Sequence, residues 1–147
     1  MIKYSHRIGA VFYMLWGLLH IGSGFYLLYI LLTAGGTDAL AIIGDAVPRV
    51  SLPQHFDGVA LGVLEQHAWN LAVFGFFSLY VGARLNWINS KLGYWLNLMV
   101  VSGADIGFIF AIMVPGYISF LSGMLGPALW ILAITFSTIG IRSQETS

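Results

Sequence analysis

Val59–Ala83 reads VALGVLEQHAWNLAVFGFFSLYVGA. This run exceeds the roughly 20 residues that a helix needs to cross the hydrocarbon of a bilayer. It also carries Glu65, Gln66, His67 and Asn70 close together in an otherwise apolar stretch. Backbone amides left unpaired in lipid are costly, so a helix is the expected form. Three further runs have the same character: Ile8–Thr33, Gly93–Val114 and Ser119–Ile141. The expectation is one all-α transmembrane domain over residues 1–147, an integral membrane four-helix bundle. Its helices fall at about 8–33, 59–83, 93–114 and 119–141, with an outer loop at 34–58.

Composition agrees. The 147 residues are 59% hydrophobic and only 8% charged, where soluble domains carry about 25% charged residues. Net charge is zero and no basic run occurs, which argues against a nucleic-acid partner. There is no cysteine, so disulfides, thiolate metal sites and thiol redox chemistry are excluded. No small-residue cleavage site closes the first apolar run, which therefore reads as a retained helix.

Orientation follows from lysine and arginine. Lys3, Arg7, Arg84, Lys91 and Arg142 flank helix ends that share one side of a four-span chain, and Arg49 lies on the other. The positive-inside rule places both termini in the cytoplasm. A multi-pass protein of the bacterial inner (cytoplasmic) membrane is the expectation, with the lipid bilayer as its first partner. The loop 34–58 faces outward. Its middle, ALAIIGDAV (Ala39–Val47), reads as a surface-lying amphipathic segment or as plain loop.

His20, His67, Asn70 and Asp105 each fall near the middle of their helices. Glu65 lies slightly toward the outer side, about 200° around the helix from His67. An ionisable group at the centre of a membrane helix costs at least ~2.5 kcal/mol. Several at one depth point to a shared interior site. On the first helix Tyr13, Trp16, His20 and Ser23 form one stripe; on the third, Asn97, Ser102 and Asp105 share a broad side.

Three chemistries suit such a set. His67 and His20 are candidate cofactor ligands, with His67 on the iron of haem b, since imidazole on a membrane helix is a usual axial ligand. Asp105, Glu65 and Asn70 are candidate catalytic groups for acid–base work on a lipophilic small molecule. The alternative is a non-catalytic structural or accessory subunit whose polar residues tie helices together. The chain also admits a homo-oligomer. No P-loop, HExxH or GxSxG motif is present.

Four helices, a mid-membrane histidine on the second and the run WINSKLGYWLNLMVVSGADIGF (Trp87–Phe108) ending in GADIGF resemble the styrene oxide isomerases. Those are small membrane enzymes with haem b that isomerise aryl epoxides to aldehydes. The resemblance covers about half the chain and rests on His67 and Asp105. It implies that His67 is the axial ligand and Asp105 a pocket residue. Where that family places a pocket asparagine this chain has Val73, with Asn70 nearby; where it places a pocket tyrosine this chain has Met113. The overall look also resembles the small four-helix membrane families grouped with DoxX.

Overall fold

A computed structural model describes residues 4–145, so Lys3 lies outside the described residues. The fold is all-helical, with no strand among the described residues. Its elements are α1 (Ser5–Thr33), α2 (Gly36–Ile43), α3 (Gly58–Arg84), α4 (Lys91–Phe108), α5 (Phe120–Gly123) and α6 (Leu125–Glu145). α4 runs on into a π-helical turn at Ile109–Met113. Short 3-10 turns occupy Arg49–Ser51 and Asn86–Ile88. Four helices, counting the turns that extend them, are long and apolar enough to cross a membrane.

The first three spans begin earlier than the hydrophobicity pattern does, whereas the fourth, expected as one helix from 119, is split into α5 (Phe120–Gly123) and α6 (Leu125–Glu145). Asp57 caps α3 by accepting a hydrogen bond from the Ala60 amide at 2.7 Å. Ser90 caps α4 through the Gly93 amide. A polar cap satisfies amide donors that the first turn leaves orphaned, so each helix starts in its flanking polar residues. Pro127 is the third residue of α6. Its missing N–H costs nothing in a first turn.

α1 is the central helix, packed along α3 and α6. Its contact with α3 is made of backbone. A β-carbon on Gly17 would lie 2.6 Å from the Gly75 carbonyl oxygen, and one on Gly24 would lie 2.6 Å from that of Ala68. On the other side, Gly9 meets Ser137 and the Ala133 carbonyl of α6. Lipid gives no hydrophobic drive for helix pairing, so dispersion across close backbones has to supply the attraction. α4 closes the ring against α3 and α6.

Hydrogen bonds lock the end that carries both termini. Ser78 Oγ donates to the Tyr13 carbonyl at 3.0 Å. Asn97 Nδ2 donates to Asn86 Oδ1 at 2.9 Å, and Asn89 Nδ2 to the Gly140 carbonyl at 2.9 Å. Asn97 and Ser102 thus leave Asp105: Asn97 is tied toward α3, and Ser102 Oγ accepts from Trp130 Nε1 of α6.

The segment between α1 and α3 is more ordered than a plain loop. Ala39 of α2 is buried in a cluster with Leu27, Leu31 and Ala68, so α2 is folded onto the end of the α1–α3 pair. Arg49 and Asp38 form an ion pair that braces α2. Asp45 accepts from the amide and hydroxyl of Ser119, and the Ala46 amide donates to the Tyr117 carbonyl. α2 is thereby fastened to the connection between α4 and α5.

A candidate ligand cavity at the α2 end

Beneath α2 the bundle encloses a cavity of about 640 Å³. This lies within the range of small-molecule sites, roughly 300–1,000 Å³. His20 and Ser23 reach it from α1, His67 and Asn70 from α3, and Asp105 from α4. The rest of the wall is largely hydrocarbon, including Leu71, Phe74, Phe108 and Ile112. Glu65 is not on this wall; it is exposed on another flank of α3. The placement agrees with its helical offset from His67.

The five groups are not at one depth. Gly24 faces Ala68 across the α1–α3 contact. His20 lies one turn before Gly24, and His67 lies beside Ala68. Gly24 sits level with the stretch between the Ala68 carbonyl and the Ala72 amide, and His67 lies farther along the antiparallel α3, so the two histidines are about 10 Å apart along the helix axes. Asp105 belongs to the deeper, His20 level.

That deeper level is the best-defined part of the site. Asp105 is 2% exposed. Its Oδ2 accepts a hydrogen bond from Trp16 Nε1 at 2.8 Å. Trp16 is fully buried, and its ring stacks on that of His20 with centroids 3.6 Å apart. His20 Nδ1 lies 2.9 Å from the Trp16 carbonyl oxygen. A carbonyl can only accept, so Nδ1 carries the hydrogen, and in the neutral ring Nε2 is left with a bare lone pair. Asp105 Oδ1 takes no hydrogen bond from any described residue. Gly126 of α6 covers this floor: a β-carbon there would stand 3.3 Å from Asp105 Oδ1 and 3.6 Å from His20 Cε1.

Trp16 and Gly126 adjoin Asp105 on this floor, a partnership that sequence pattern does not single out. Trp16 stood in the stripe with His20, and its indole N–H is the donor that a buried carboxylate requires. Gly126 gave no such signal, because its role depends on how α6 meets α1 and α4.

The wall is incomplete. His67, Asn70 and Phe74 on α3 are exposed, as are Gly107 and Ala111 on or beyond α4. α3 and α4 are joined near the far end by Asn97. Lining residues on other elements are exposed as well, among them Ser23 and Tyr26 on α1 and Leu125 on α6, so the cavity is open rather than sealed. Among the described residues no group of three or more histidine, aspartate or glutamate side chains is placed to hold a bare metal ion.

Comparison with protein-family models, with curated proteins and with solved structures found no match to this chain.

Proposed function

We propose that this chain is a multi-pass membrane protein that holds a lipophilic small molecule in the cavity beneath α2, with the floor at Asp105 and His20 engaging its polar end. The observation that carries the reading is Asp105. It is almost wholly buried, yet one carboxylate oxygen faces the cavity without a protein partner. A carboxylate in so apolar a setting is costly unless it is fully bonded, and the oxygen left open is where a ligand's donor would complete it. The exposed hydrocarbon on the cavity wall, such as Phe74 of α3, suits a molecule that arrives dissolved in the bilayer. The distribution of basic residues favours cytoplasmic termini and a bacterial inner-membrane location.

Haem b is one molecule to weigh: the cavity volume and a wall histidine suit it, while no described lysine or arginine lines the cavity to meet its propionates. When bound it would supply an iron centre. His67 is exposed on the cavity wall, without a hydrogen bond from a described residue. His20 is held by the Trp16 carbonyl, a constraint typical of ligating histidines. α1 and α3 touch through backbone at Gly17, Gly24 and Gly75, so a macrocycle has no slot between these two helices, and ligation by one histidine is the version that fits. In an isomerase, Asp105 and Asn70 would hold or move a proton on the bound substrate.

Absorbance of protein purified from haem-sufficient membranes, together with mass spectrometry of its organic extract, tests the proposal. A Soret band lost in His67→Ala identifies haem; a colourless protein that carries a different small molecule identifies another ligand. A preparation with neither, whose thermal midpoint no lipophilic compound shifts, overturns the reading. The tie between Trp16 and Asp105 favours a second reading, a non-catalytic subunit in which Asp105 only joins α1 to α4. That reading expects Asp105→Leu to lower the melting temperature and to leave ligand content at zero throughout.

A further inference from the structure

The chemistry of the cavity floor narrows the class of ligand. Two groups meet near the place that a Gly126 β-carbon would take: Asp105 Oδ1 and the His20 ring. Both offer lone pairs. Oδ1 belongs to a carboxyl group whose other oxygen is occupied by Trp16. His20 Nε2 is the acceptor of a ring whose Nδ1 hydrogen is used. Among the described residues no lysine or arginine lines the cavity. A negative group buried there lacks a counter-ion from the protein.

A floor of this kind rejects ligands that bring only acceptors. A carboxylate or phosphate would face Asp105 with like charge and would leave His20 Nε2 unbonded. A ketone or ether would leave both acceptors unpaired. The complement is a group with several N–H donors and a positive charge. Above the floor Leu71, Phe74, Phe108 and Ile112 line the cavity with hydrocarbon. We propose that the cavity accepts a lipophilic amine, whose ammonium group donates to Asp105 Oδ1 and His20 Nε2 while its apolar body lies among these four side chains. The proposal rests on the ligand-cavity reading above and gives that ligand its class. The aromatic walls add to it, because a cation is attracted to the face of an aromatic ring.

The test is a thermal-unfolding titration of the full chain in non-ionic detergent with four compounds of one alkyl chain. These are the primary amine, the alcohol, the carboxylic acid and the trimethylammonium salt. The amine is expected to raise the midpoint at roughly ten- to hundredfold lower concentration than the alcohol, as a charged hydrogen bond requires. The acid is expected to have the least effect. The trimethylammonium salt has charge without N–H and is expected to fall between amine and alcohol. Asp105→Asn keeps an oxygen for Trp16 and removes the charge; it is expected to bring the amine down to the level of the alcohol.

Equal midpoint shifts from amine and alcohol in the unaltered protein overturn the proposal, whatever the variant does. So does an amine response that survives in a folded Asp105→Asn protein. Gly126→Val separates the two levels of the claim, because it fills the floor. If it abolishes the alcohol response while the amine shows no preference, the cavity reading stands and the amine assignment falls. If no compound shifts the unaltered protein, or Gly126→Val leaves every shift in place, both fall.

Discussion

Trp16 ties the site together. It donates to Asp105 across the α1–α4 interface, carries the stacked ring of His20 and presents its carbonyl to that ring. One side chain therefore sets the positions of both polar groups on the floor. Trp16→Phe keeps most of the packing and removes the N–H, which leaves Asp105 Oδ2 buried and unbonded. It is expected to cost about 1–3 kcal/mol, read as a lowered unfolding midpoint in detergent. Asp105→Asn is expected to cost less, since an amide oxygen still accepts from Trp16. His20, His67, Asn70 and Asp105 were legible in the sequence because polar groups are scarce in these spans. Their partners were not. A tryptophan in an apolar helix looks the same whether it faces lipid or a carboxylate, and the difference is set by the rotation of α1 against α4.

At the scale of elements, α1 and α3 behave as a single unit. Gly17, Gly24 and Gly75 sit where the opposing backbone leaves no room for a side chain. Gly75→Leu has to push the helices apart, at a cost of at least about 1–3 kcal/mol. The expected outcome is loss of the cavity together with a lowered melting temperature. Gly22→Leu meets open space and is expected to change little. The long apolar spans were readable from hydrophobicity alone. α2 was ambiguous, because its eight residues lie in a stretch with mixed cues, and its docking depends on contacts distant in sequence. The main such contact is Asp45. The Ser119 amide, then the hydroxyls of Ser122 and Ser119, hold its carboxyl below the usual carboxylate range. Hydrogen bonds and the charge of Arg49 do the same for Asp38. A carboxyl whose folded-state value is depressed contributes stability above its unfolded value of about 3.9 and loses it as pH falls toward the folded value. Amide exchange across residues 36–47, corrected for intrinsic rates, is therefore expected to be slow at neutral pH and to rise below about pH 4. Asp45→Asn is expected to bring that loosening to neutral pH.

For the whole molecule, the arrangement of four antiparallel spans groups the ends of α1, α3, α4 and α6 that carry Arg7, Arg84, Lys91 and Arg142. The opposite end carries α2 and Arg49. The absence of cysteine makes sidedness directly measurable. Ser51→Cys, at the α2 end, is expected to react with a membrane-impermeant thiol reagent added outside intact cells. Ile88→Cys, exposed at the other end, is expected to react only after the membrane is opened. The reverse pattern would turn the molecule over and place the lid-like α2 in the cytoplasm.

The π-helical turn at Ile109–Met113 has a bearing on length changes in this chain. Here the Val114 amide reaches back to the Ile109 carbonyl, one residue farther than an α-helix allows; the later bonds from Tyr117 to Ile112 and from Gly116 to Met113 form the cap that ends the helix at the left-handed Gly116. The segment thus holds a surplus residue, and removing one would let the ladder close into regular α-helix. The shortening would keep every later position near its present bearing about the helix axis, because the wide turn spends one residue more than an α-turn on the same rotation. A one-residue deletion at this point would thus be absorbed, whereas the same deletion earlier in α4 would swing Asp105 about 100° away from its indole partner.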